Sequence, residues 1–541
     1  MESTISNKRV KKLIIQSNDI VEQMVKSISA YGYPELGPEY SCLDSIVERS
    51  LVAYRLQKSW CRPDNKLTDR LRDECYDTWS ENENRLWAMD IPQRVTNAPH
   101  EIKSVIYRAS ALLHDWLKPS FTRFQYRCED LDFTPGETFI SSKGHTSVRQ
   151  KLLSLEHWTV TPEAADKAAL LVWNTNALRK MAIAHLSVVL PVTRDCHDLL
   201  ETSKLWLTSL VKLYLFTYVG GARAASVFKD NTKRRFINIE PMFNMLLQRC
   251  IAALMRKVLT NIGNDVESGQ DAHYRLISQP HIATIDFSNA SDSNHAEGTK
   301  FLFPSIVFSK LDLVRSHYCI FDTGDSIPVC KLSSMGNGFT FETMTLYLLS
   351  LARALDPLSR VYGDDVIISS NSATLFILCC ETLGWVVNVN KTFVTGKFKE
   401  SCGGFYHEDV GYIESYKLEF NESIDDVITT TNKLYRLKHI LPEIDSAWSR
   451  LIRIVPALLK GPCVSVPLTP WVQHPNFERS KRGCEHTRTL WNHKRTRNLL
   501  RYAMCAWHKQ PVAIGVIFGF KSVLVKQKSD EVSCTADIGY Y

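Results

Sequence analysis

The sequence predicts an α+β protein that is largely helical at both ends and mixes strands with helices in the middle. Its 541 residues, 44% hydrophobic and 23% charged, have the composition of an ordinary globular protein. The first third has mostly helical patterning, whereas over 281–406 short β-forming runs alternate with helical segments and glycine turns. From about residue 419 the pattern is helical again and includes a strongly basic stretch.

The clearest helix of the first third is predicted over 161–181, TPEAADKAALLVWNTNALRKM. Thr161 suits the N-cap position, Pro162 fits the first turn, and Glu163 is favoured near the positive end of a helix. We therefore expect one helix here, capped by Thr161.

Cysteine content and apolar windows indicate the environment of the chain. The cysteines number 15, with no CxxC pair, which favours reduced thiols in a cytosol. The start, MESTISNKRVKKLIIQ, lacks the apolar core of a secretory signal. The windows 205–219 and 511–520 are the most apolar, but the first contains Lys212 and the second is short, so neither is expected to span a membrane. We expect a soluble intracellular protein whose net charge of +7 suits a polyanionic partner.

Two adjacent acids, Asp364 and Asp365, lie between extended arms in the stretch VYGDDVIIS. A glycine directly before two acids, with β-forming residues on either side, predicts a tight hairpin whose tip presents carboxylates. The triplet alone is weak evidence, because a solvated turn can have the same sequence. A third acid, Asp286, ends the predicted buried strand of HIATIDFSNASDS, where a turn or helix-capping role is the alternative.

These acids require a positive partner if they meet. A buried carboxylate without a partner is costly, and no Lys or Arg lies in the run around Asp286. Two Mg²⁺ ions about 4 Å apart can activate an attacking oxygen and stabilise a leaving oxygen in phosphoryl displacement. Mg²⁺ prefers carboxylates, phosphates and water as ligands. We therefore predict that Asp286 and Asp364 bridge two Mg²⁺ ions, for which Mn²⁺ can substitute, with Asp365 as an auxiliary ligand.

A glycine loop and a helix lie between the acid motifs, in SSMGNGFTFETMTLYLLSLARAL. Gly336 and Gly338 surround Asn337 and allow a ligand to approach the backbone closely. The segment that follows is apolar on nearly every side, which predicts a buried helix. An ordinary core helix with its entry turn is the alternative to the base of a nucleic-acid channel.

Several motifs together resemble a known family. TIDFSNASDS, SSMGNGFTFE, YGDD, NKTFVTGKFKESCGGFY and, upstream, KDNTKRRFINIEP resemble in order and spacing the catalytic motifs of the RNA-directed RNA polymerase (replicase beta subunit) of small positive-strand RNA bacteriophages, the leviviruses. The resemblance is close over 220–417. It implies a right-hand fold of fingers, palm and thumb, in which an antiparallel palm sheet is flanked by helices. It also implies Mg²⁺-dependent RNA synthesis from nucleoside triphosphates on an RNA template, and initiation without a primer. The metal ligands of the family fall on Asp286, Asp364 and Asp365.

The resemblance also implies a division of the chain. Residues 1–130 are expected to be a mostly helical contribution to the fingers, and 131–275 the fingers with a basic loop. Residues 276–418 are expected to form the palm, with part of 294–330 assignable to the fingers, and 419–541 the thumb and C-terminal region.

Basic residues of two motifs are predicted to contact the triphosphate or the leaving group. In KDNTKRRF, arginine can clamp phosphate bidentately and lysine acts as a point charge. The resemblance points to Lys229 and Arg235 as triphosphate contacts, and a solvated basic loop is the alternative. Lys391 matches a lysine that is a candidate general acid for the pyrophosphate leaving group, with a surface lysine as the alternative. Phe393 is expected in the core.

The residues after Asp286 bear on the choice of sugar. Reverse transcriptases place a bulky aromatic residue five positions after the first acid, whereas Ser291 stands there in this chain. Asp292 is predicted to hydrogen-bond a 2′-hydroxyl, with Ser334 and Asn337 as partners, although a helix-start role for Asp292 is equally open. This pattern favours ribonucleotides.

The stretch 478–504 is strongly basic and contains aromatic residues. Basic side chains can follow phosphates while aromatic rings stack on bases, so this stretch is predicted to line the template–product channel. A solvated helix face is the alternative. The residues predicted to bind RNA are Arg482, Arg488, Lys494 and Arg495.

Two other functions compete with an RNA polymerase: a reverse transcriptase, which the small Ser291 disfavours, and a non-catalytic RNA-binding scaffold, which the intact acids disfavour. By resemblance, the partners are template and product RNA, nucleoside triphosphates, host elongation factors Tu and Ts, and a host RNA-binding ribosomal protein. The expected location is the cytoplasm of a bacterial host, with no membrane.

Overall fold

The computed structural model describes residues 7–32, 43–61, 65–127, 139–140, 148–190, 200, 202–461, 463, 467–469 and 471–475. The RNA-binding residues predicted in the basic stretch, Arg482, Arg488, Lys494 and Arg495, lie outside these described residues. No helix within the described part of the chain is long and apolar enough to cross a membrane.

Helices dominate the first third, as predicted. A 3₁₀ turn, Ile28–Tyr31, follows the first of them. The amphipathic helix over His100–Thr122 buries one face, including Ile106 and Leu113, against the main core. The helices of this part are α1 (Asn7–Ser27), α2 (Glu48–Ser59), α3 (Asn65–Trp87), α4 (Ile91–Asn97), α5 (His100–Thr122), α6 (Val148–Leu153), α7 (Ala165–Asn174), α8 (Asn176–Val189) and α9 (Lys204–Leu210), which continues as a π-helical turn over Val211–Leu215.

The prediction of one helix over 161–181 is wrong in two respects. The α-helix begins at residue 165, and Thr161 is no cap, because its backbone N–H and its Oγ1 both hydrogen-bond the side chain of Asn244. The helix is also broken at Thr175, whose backbone is extended. Thr175 lies between two asparagines, and short polar side chains compete with the helical backbone for hydrogen bonds.

Strands and helices alternate in the rest of the chain. The strands before residue 240 are β1 (Thr159–Val160), β2 (Thr217–Tyr218), β3 (Ala222–Asp230) and β4 (Lys233–Ile239). They are followed by α10 (Met242–Asn261), α11 (Gly269–Leu276), β5 (Ile282–Ile285), α12 (Ala290–Ser293), α13 (Ala296–Leu302), α14 (Ser305–Val314), β6 (Tyr318–Ile320), β7 (Ser326–Pro328), α15 (Thr340–Arg353), β8 (Arg360–Tyr362), β9 (Asp365–Ser369) and α16 (Ser370–Thr382). The last elements are β10 (Phe398–Ser401), β11 (Gly404–His407), β12 (Gly411–Tyr412), α17 (Ile424–Leu437), α18 (Pro442–Ile454), β13 (Lys460–Gly461) and β14 (Val472–Gln473).

The central sheet has three antiparallel strands in the order β5–β9–β8. Its register pairs Val366 of the middle strand with Ile285 on one side and Val361 on the other. Helices α15 and α16 both pack against this sheet. Their burial follows from their composition, because α15 is apolar or small on nearly every side, as predicted. The predicted α+β fold with an antiparallel sheet flanked by helices is confirmed.

Two further sheets support the centre. One has the order β4–β3–β6–β7, in which only the β3–β6 pairing is parallel, and the other is the antiparallel meander β10–β11–β12. The basic motif KDNTKRRF, predicted as a loop, is the end of the β3–β4 hairpin. The sequences on either side of the motif are rich in β-branched and aromatic residues, which favour strands. Strand pairing therefore continues into the charged end of the hairpin.

A second core joins distant parts of the sequence. Val52 and Leu56 of α2 pack in one cluster with Phe393, Phe405 and helix α17. Phe393 is fully buried, as predicted. This core fixes α2 beside the segment that follows the central sheet, and it therefore helps to position the residues described below.

Candidate active site

Asp364 and Asp365 lie at a tight turn, as the sequence predicts. Tyr362 pairs with Asp365 across the hairpin, so Gly363 and Asp364 form a two-residue turn between β8 and β9. Gly363 has a φ of 65°, and a Cβ atom there would come within 2.8 Å of the Phe341 ring. The Gly363 N–H donates to Thr345 Oγ1 at 3.0 Å, which fixes the hairpin to α15.

Asp286 emerges beside this turn. It follows β5 directly, and because Ile285 pairs with Val366, the antiparallel register brings Asp286 next to Asp365. The backbone of Asp286 is held on its other side by residues after α16. The Asn388 N–H donates to the Asp286 carbonyl oxygen at 2.9 Å, and the Asp286 N–H donates to Thr392 Oγ1 at 3.3 Å.

Burial disfavours the charged forms of all three carboxylates, and repulsion between acids adds to this effect at Asp364 and Asp365. Burial raises the pKa of Asp286 above its ordinary value. Burial and the charge of Asp286 raise the pKa of Asp364. Burial, the charge of Asp364 and that of Asp286 raise the pKa of Asp365 to about 7. The fold therefore concentrates negative charge where water is scarce, which is unfavourable unless a cation compensates.

The donors suit a hard divalent cation, but they do not form a closed cage. Within the ranges that the structure describes, no group of three or more His, Cys, Asp or Glu side chains is placed to hold a metal ion by itself. Mg²⁺ is usually bound through one or two carboxylates, with water and substrate phosphates as the remaining ligands. An open set of carboxylates therefore fits Mg²⁺ better than a metal that needs an all-protein cage.

Asn388 and Glu400 complete the surroundings of Asp286 and Lys391. Asn388 Nδ2 donates to Asp286 Oδ2 at 2.6 Å. Lys391 Nζ lies 3.4 Å from Glu400 Oε1 and 4.0 Å from Asp286 Oδ2, and the lysine side chain remains 44% exposed. Desolvation by itself would lower the pKa of Lys391, but Glu400, Asp286 and Asp365 together raise it above its ordinary value. Lys391 is therefore held as an ammonium.

Asp365 is anchored from the β10–β11 turn. The backbone N–H of Cys402 donates to Asp365 Oδ1 at 3.1 Å, and Cys402 has a φ of 51°. Sequence reasoning missed Asn388, Glu400 and Cys402. Two of them are near recognisable signals, because Asn388 stands three residues before Lys391 and Cys402 precedes the Gly-Gly pair.

The β3–β4 hairpin brings cations to the same place. Lys229 lies on the surface of the hairpin. Desolvation by the surrounding protein, together with the charges of Arg235 and Lys391, lowers the pKa of its ammonium to about 8. The charge of Arg235 partly offsets the rise in the pKa of Asp364 that burial and Asp286 cause. The structure thus brings together Lys229, Arg235, Lys391 and the three predicted metal ligands.

Lys229 and Lys391 line a cavity of about 1120 Å³. The cavity extends from the central site to α2 and to the segment before α17. Its walls are strongly charged, with the further basic residues Arg55, Lys58, Lys233 and Lys417 and the acidic residues Asp230, Glu400, Glu419, Glu422 and Asp426. Basic side chains can bind phosphates and carboxylates can bind a metal ion, so this lining suits a ligand that combines phosphates with bound metal.

The glycine-loop residues predicted to contact nucleotide are engaged within the protein. Ser334 Oγ accepts from Asn238 Nδ2 at 2.9 Å, and Asn337 Nδ2 donates to Glu240 Oε1 at 3.1 Å. Both residues are buried. Gly336 has a φ of 99° and lies against Asn238, so the loop follows β4 closely. These contacts shape the loop, and the nucleotide contacts of Ser334 and Asn337 stay a prediction.

An α+β fold with acids at one end of its central antiparallel sheet, near a cavity lined by both basic and acidic side chains, is consistent with a right-hand nucleic-acid polymerase. The sequence model of the family described as RNA replicase, beta-chain, matches residues 92–533. The chain belongs to this family, which confirms the resemblance found in the sequence.

Individual relatives agree with this assignment. The chain is 30% identical over 348 residues to the RNA-directed RNA polymerase subunit beta of Qbeta virus (strain MX1), covering 61% of this chain and 58% of that protein. It is 32% identical over 276 residues to the RNA-directed RNA polymerase beta chain of Escherichia phage MS2, covering 47% and 50%. The chain thus spans about half the length of the curated relatives it matches.

Solved structures of viral polymerases show a weaker similarity. The RNA-dependent RNA polymerase from bacteriophage phi12 aligns with a TM-score of 0.41 at 11% identity, over 81% of this chain and 76% of that chain. The RNA-dependent RNA polymerase of a human picorbirnavirus aligns with a TM-score of 0.34 at 16% identity, over 45% and 58%.

Proposed function

We propose that the chain is an RNA-directed RNA polymerase that replicates a viral positive-strand RNA genome from nucleoside triphosphates and initiates without a primer. The observation that carries the proposal is the convergence of Asp286, Asp364 and Asp365 beside Lys229 and Arg235. Their mutual repulsion is an arrangement that a metal-bound triphosphate would relieve. Membership of the replicase family supports the same activity.

In this proposal Asp286, Asp364 and Asp365 would hold two Mg²⁺ ions, or Mn²⁺ in their place. When bound, these ions would stabilise charge on the attacking and leaving oxygens of nucleotidyl transfer. Asn388 and Lys391 both approach Oδ2 of Asp286 and would orient this carboxylate for metal binding. Cys402 orients Asp365 by the hydrogen bond to Oδ1.

The test is incorporation of labelled UTP or dTTP by the purified full chain on several RNA templates with Mg²⁺, with and without host extract. We expect template-length RNA and a strong preference for UTP. Preferred use of dTTP would instead identify a reverse transcriptase. RNA binding without incorporation under every condition would identify a non-catalytic scaffold.

The remaining assignments follow the same proposal. The palm is assigned to 276–418, with fingers before it and a thumb after it. The proposed RNA contacts of the C-terminal region are Arg482, Arg488, Lys494 and Arg495. The proposed partners are template and product RNA, host elongation factors Tu and Ts and a host RNA-binding ribosomal protein, in the cytoplasm of a bacterial host.

Lys229→Ala and Arg235→Ala are expected to weaken nucleotide binding. A charge-assisted hydrogen bond contributes about 1.5–3 kcal/mol, so each change should raise KM for UTP by roughly 10- to 100-fold, with a smaller effect on kcat. Steady-state kinetics at saturating template measure both constants. Lys397→Ala removes an exposed lysine paired with Asp409 and should leave KM unchanged. Equal KM values in all three variants would contradict the triphosphate assignment.

Two substitutions of Lys391 can distinguish a contribution of its positive charge to catalysis from a contribution by proton donation. A general acid acts best when its pKa lies near the working pH, and the raised pKa of Lys391 favours a contribution through charge. Lys391→Arg keeps the charge but releases no proton at working pH. We expect Lys391→Arg to retain activity within about tenfold and Lys391→Met to lose about 100-fold in kcat. Equal losses in the two variants, with a changed pH profile of kcat, would instead establish proton donation.

A further inference from the structure

A buried lysine lies between two carboxylates behind helix α12. Lys331 Nζ is 2.5 Å from Asp292 Oδ1 and 3.2 Å from Glu83 Oε1. The rings of Trp79 and Phe236 lie 5.0 Å and 5.9 Å from the same ammonium. The side chain of Lys331 is 0% exposed and that of Glu83 3%, whereas that of Asp292 is 16% exposed. Asp292 is therefore the member of this triad that reaches solvent.

The positive charge of the buried Lys331 is compensated by Asp292 and Glu83 together. Desolvation disfavours the ammonium of Lys331, but the charges of Asp292 and Glu83 outweigh it and raise the pKa of the lysine. Removal of one partner from a buried pair leaves an uncompensated charge. The position of the Asp292 carboxylate therefore depends on Lys331, and that of Lys331 depends on Glu83.

Backbone contacts connect the triad to the candidate active site. Helix α12 begins four residues after Asp286, and Asn289 enters it with a φ of 47°. Asn294, just after α12, accepts from the Leu332 N–H at 2.8 Å and donates from Nδ2 to Ser333 Oγ at 3.3 Å. The segment with Asp292 is thus joined to the strand end with Asp286 on one side and to the glycine loop on the other.

Glu83 is also anchored by the backbone next to the lysine. Its Oε2 accepts from the Cys330 N–H at 2.8 Å, and it belongs to the long helix α3. Arg85 of the same helix donates to the Gly384 carbonyl oxygen at 2.8 Å, at the turn after α16. Helix α3 thus provides a rigid support behind the segment that contains Asp292.

We infer that Lys331, oriented by Glu83, is a positioning residue that holds the Asp292 carboxylate as acceptor for the 2′-hydroxyl of the incoming nucleotide. The inference rests on the proposed polymerase function and adds the residues that set the preference for ribose. Lys331 and Glu83 are buried and cannot touch the sugar, so their influence must pass through Asp292. A site built to bond a hydroxyl rejects the analogue that lacks it, because its polar group is left unpaired.

The test compares kcat/KM for UTP and for dUTP in the full chain. Lys331→Met keeps the length of the side chain and removes its charge, and it should lower the UTP-over-dUTP preference at least about tenfold, mainly through UTP. Asp292→Ala should do the same, and the double variant should lose no more than either single variant. Lys331→Arg should restore part of the preference. Lys300→Met, at an exposed lysine paired with Glu297, should not change the ratio.

The outcomes separate this inference from the proposed function. Wild type that incorporates neither nucleotide would defeat the polymerase proposal itself. Wild type that prefers UTP, with Lys331→Met slowing UTP and dUTP equally, would leave the polymerase intact and overturn the role of Lys331. If Lys331→Met does not fold, Glu83→Gln takes its place, and an unchanged ratio in that variant overturns the inference.

Discussion

Asp364→Asn is expected to lower incorporation of labelled UTP at least about a thousandfold while leaving the protein folded. The substitution keeps the shape of the side chain at the turn but removes the charge that would hold metal. It also removes one source of repulsion on Asp365, so the fold should not suffer. Incorporation with saturating Mg²⁺, UTP and template measures the loss, and circular dichroism establishes that the variant is folded.

Asp409→Asn is a suitable control for this experiment. Asp409 is 43% exposed and pairs with Lys397, away from the three acids. Its replacement should leave incorporation within about twofold, as expected for a surface ion pair. Gly363 and Asp364 form the turn of the β8–β9 hairpin, so Asp364 is the carboxylate at its tip. Full activity of Asp364→Asn would therefore contradict the prediction that this carboxylate binds metal.

The parts of the site that the sequence predicted are those set by local pattern. The strand end at Asp286 and the hairpin at Asp364 follow from short β-forming runs that stop at an acid, and glycine requirements fix the turn. Both motifs are recognisable locally, and the pairing of β5 with β9 is what brings their acids together. The electrostatic need for a cation then suggested that the acids converge.

The residues that sequence reasoning missed depend on tertiary structure. Asn388 reaches Asp286 because Phe393 pairs with Thr284 beside the sheet, and Glu400 reaches Lys391 because β10 packs near β5. The partner of Asp292, Lys331, lies 39 residues away in sequence, and Glu83 comes from the N-terminal third. The helix break at Thr175 was missed for a different reason: the apolar pattern on both sides of it favours a continuous helix, and only the short polar side chains around Thr175 oppose it. The contacts between residues far apart in sequence leave no periodic pattern that a single sequence could reveal.

Asp365→Asn is expected to stabilise the metal-free protein at high pH. The pKa of Asp365 rises from 3.8 to about 7 on folding, so the folded state prefers the neutral acid whereas the unfolded chain is ionised above about pH 4. The wild type should therefore lose stability as pH rises from about 4 to 7, and the cost should be complete above 7. Asparagine avoids that cost and can still accept from the Cys402 N–H through Oδ1.

Chemical denaturation in EDTA at pH 8 should show Asp365→Asn more stable than wild type by roughly 2–4 kcal/mol, and the difference should vanish near pH 4. Added Mg²⁺ should stabilise wild type more than the variant, because the ion binds the folded carboxylates and relieves their repulsion. A variant less stable than wild type at pH 8 would mean that the negative charge of Asp365 is already compensated within the protein. The repulsion that makes this fold less stable without metal is the same feature that would allow it to hold metal in the proposed nucleotidyl transfer.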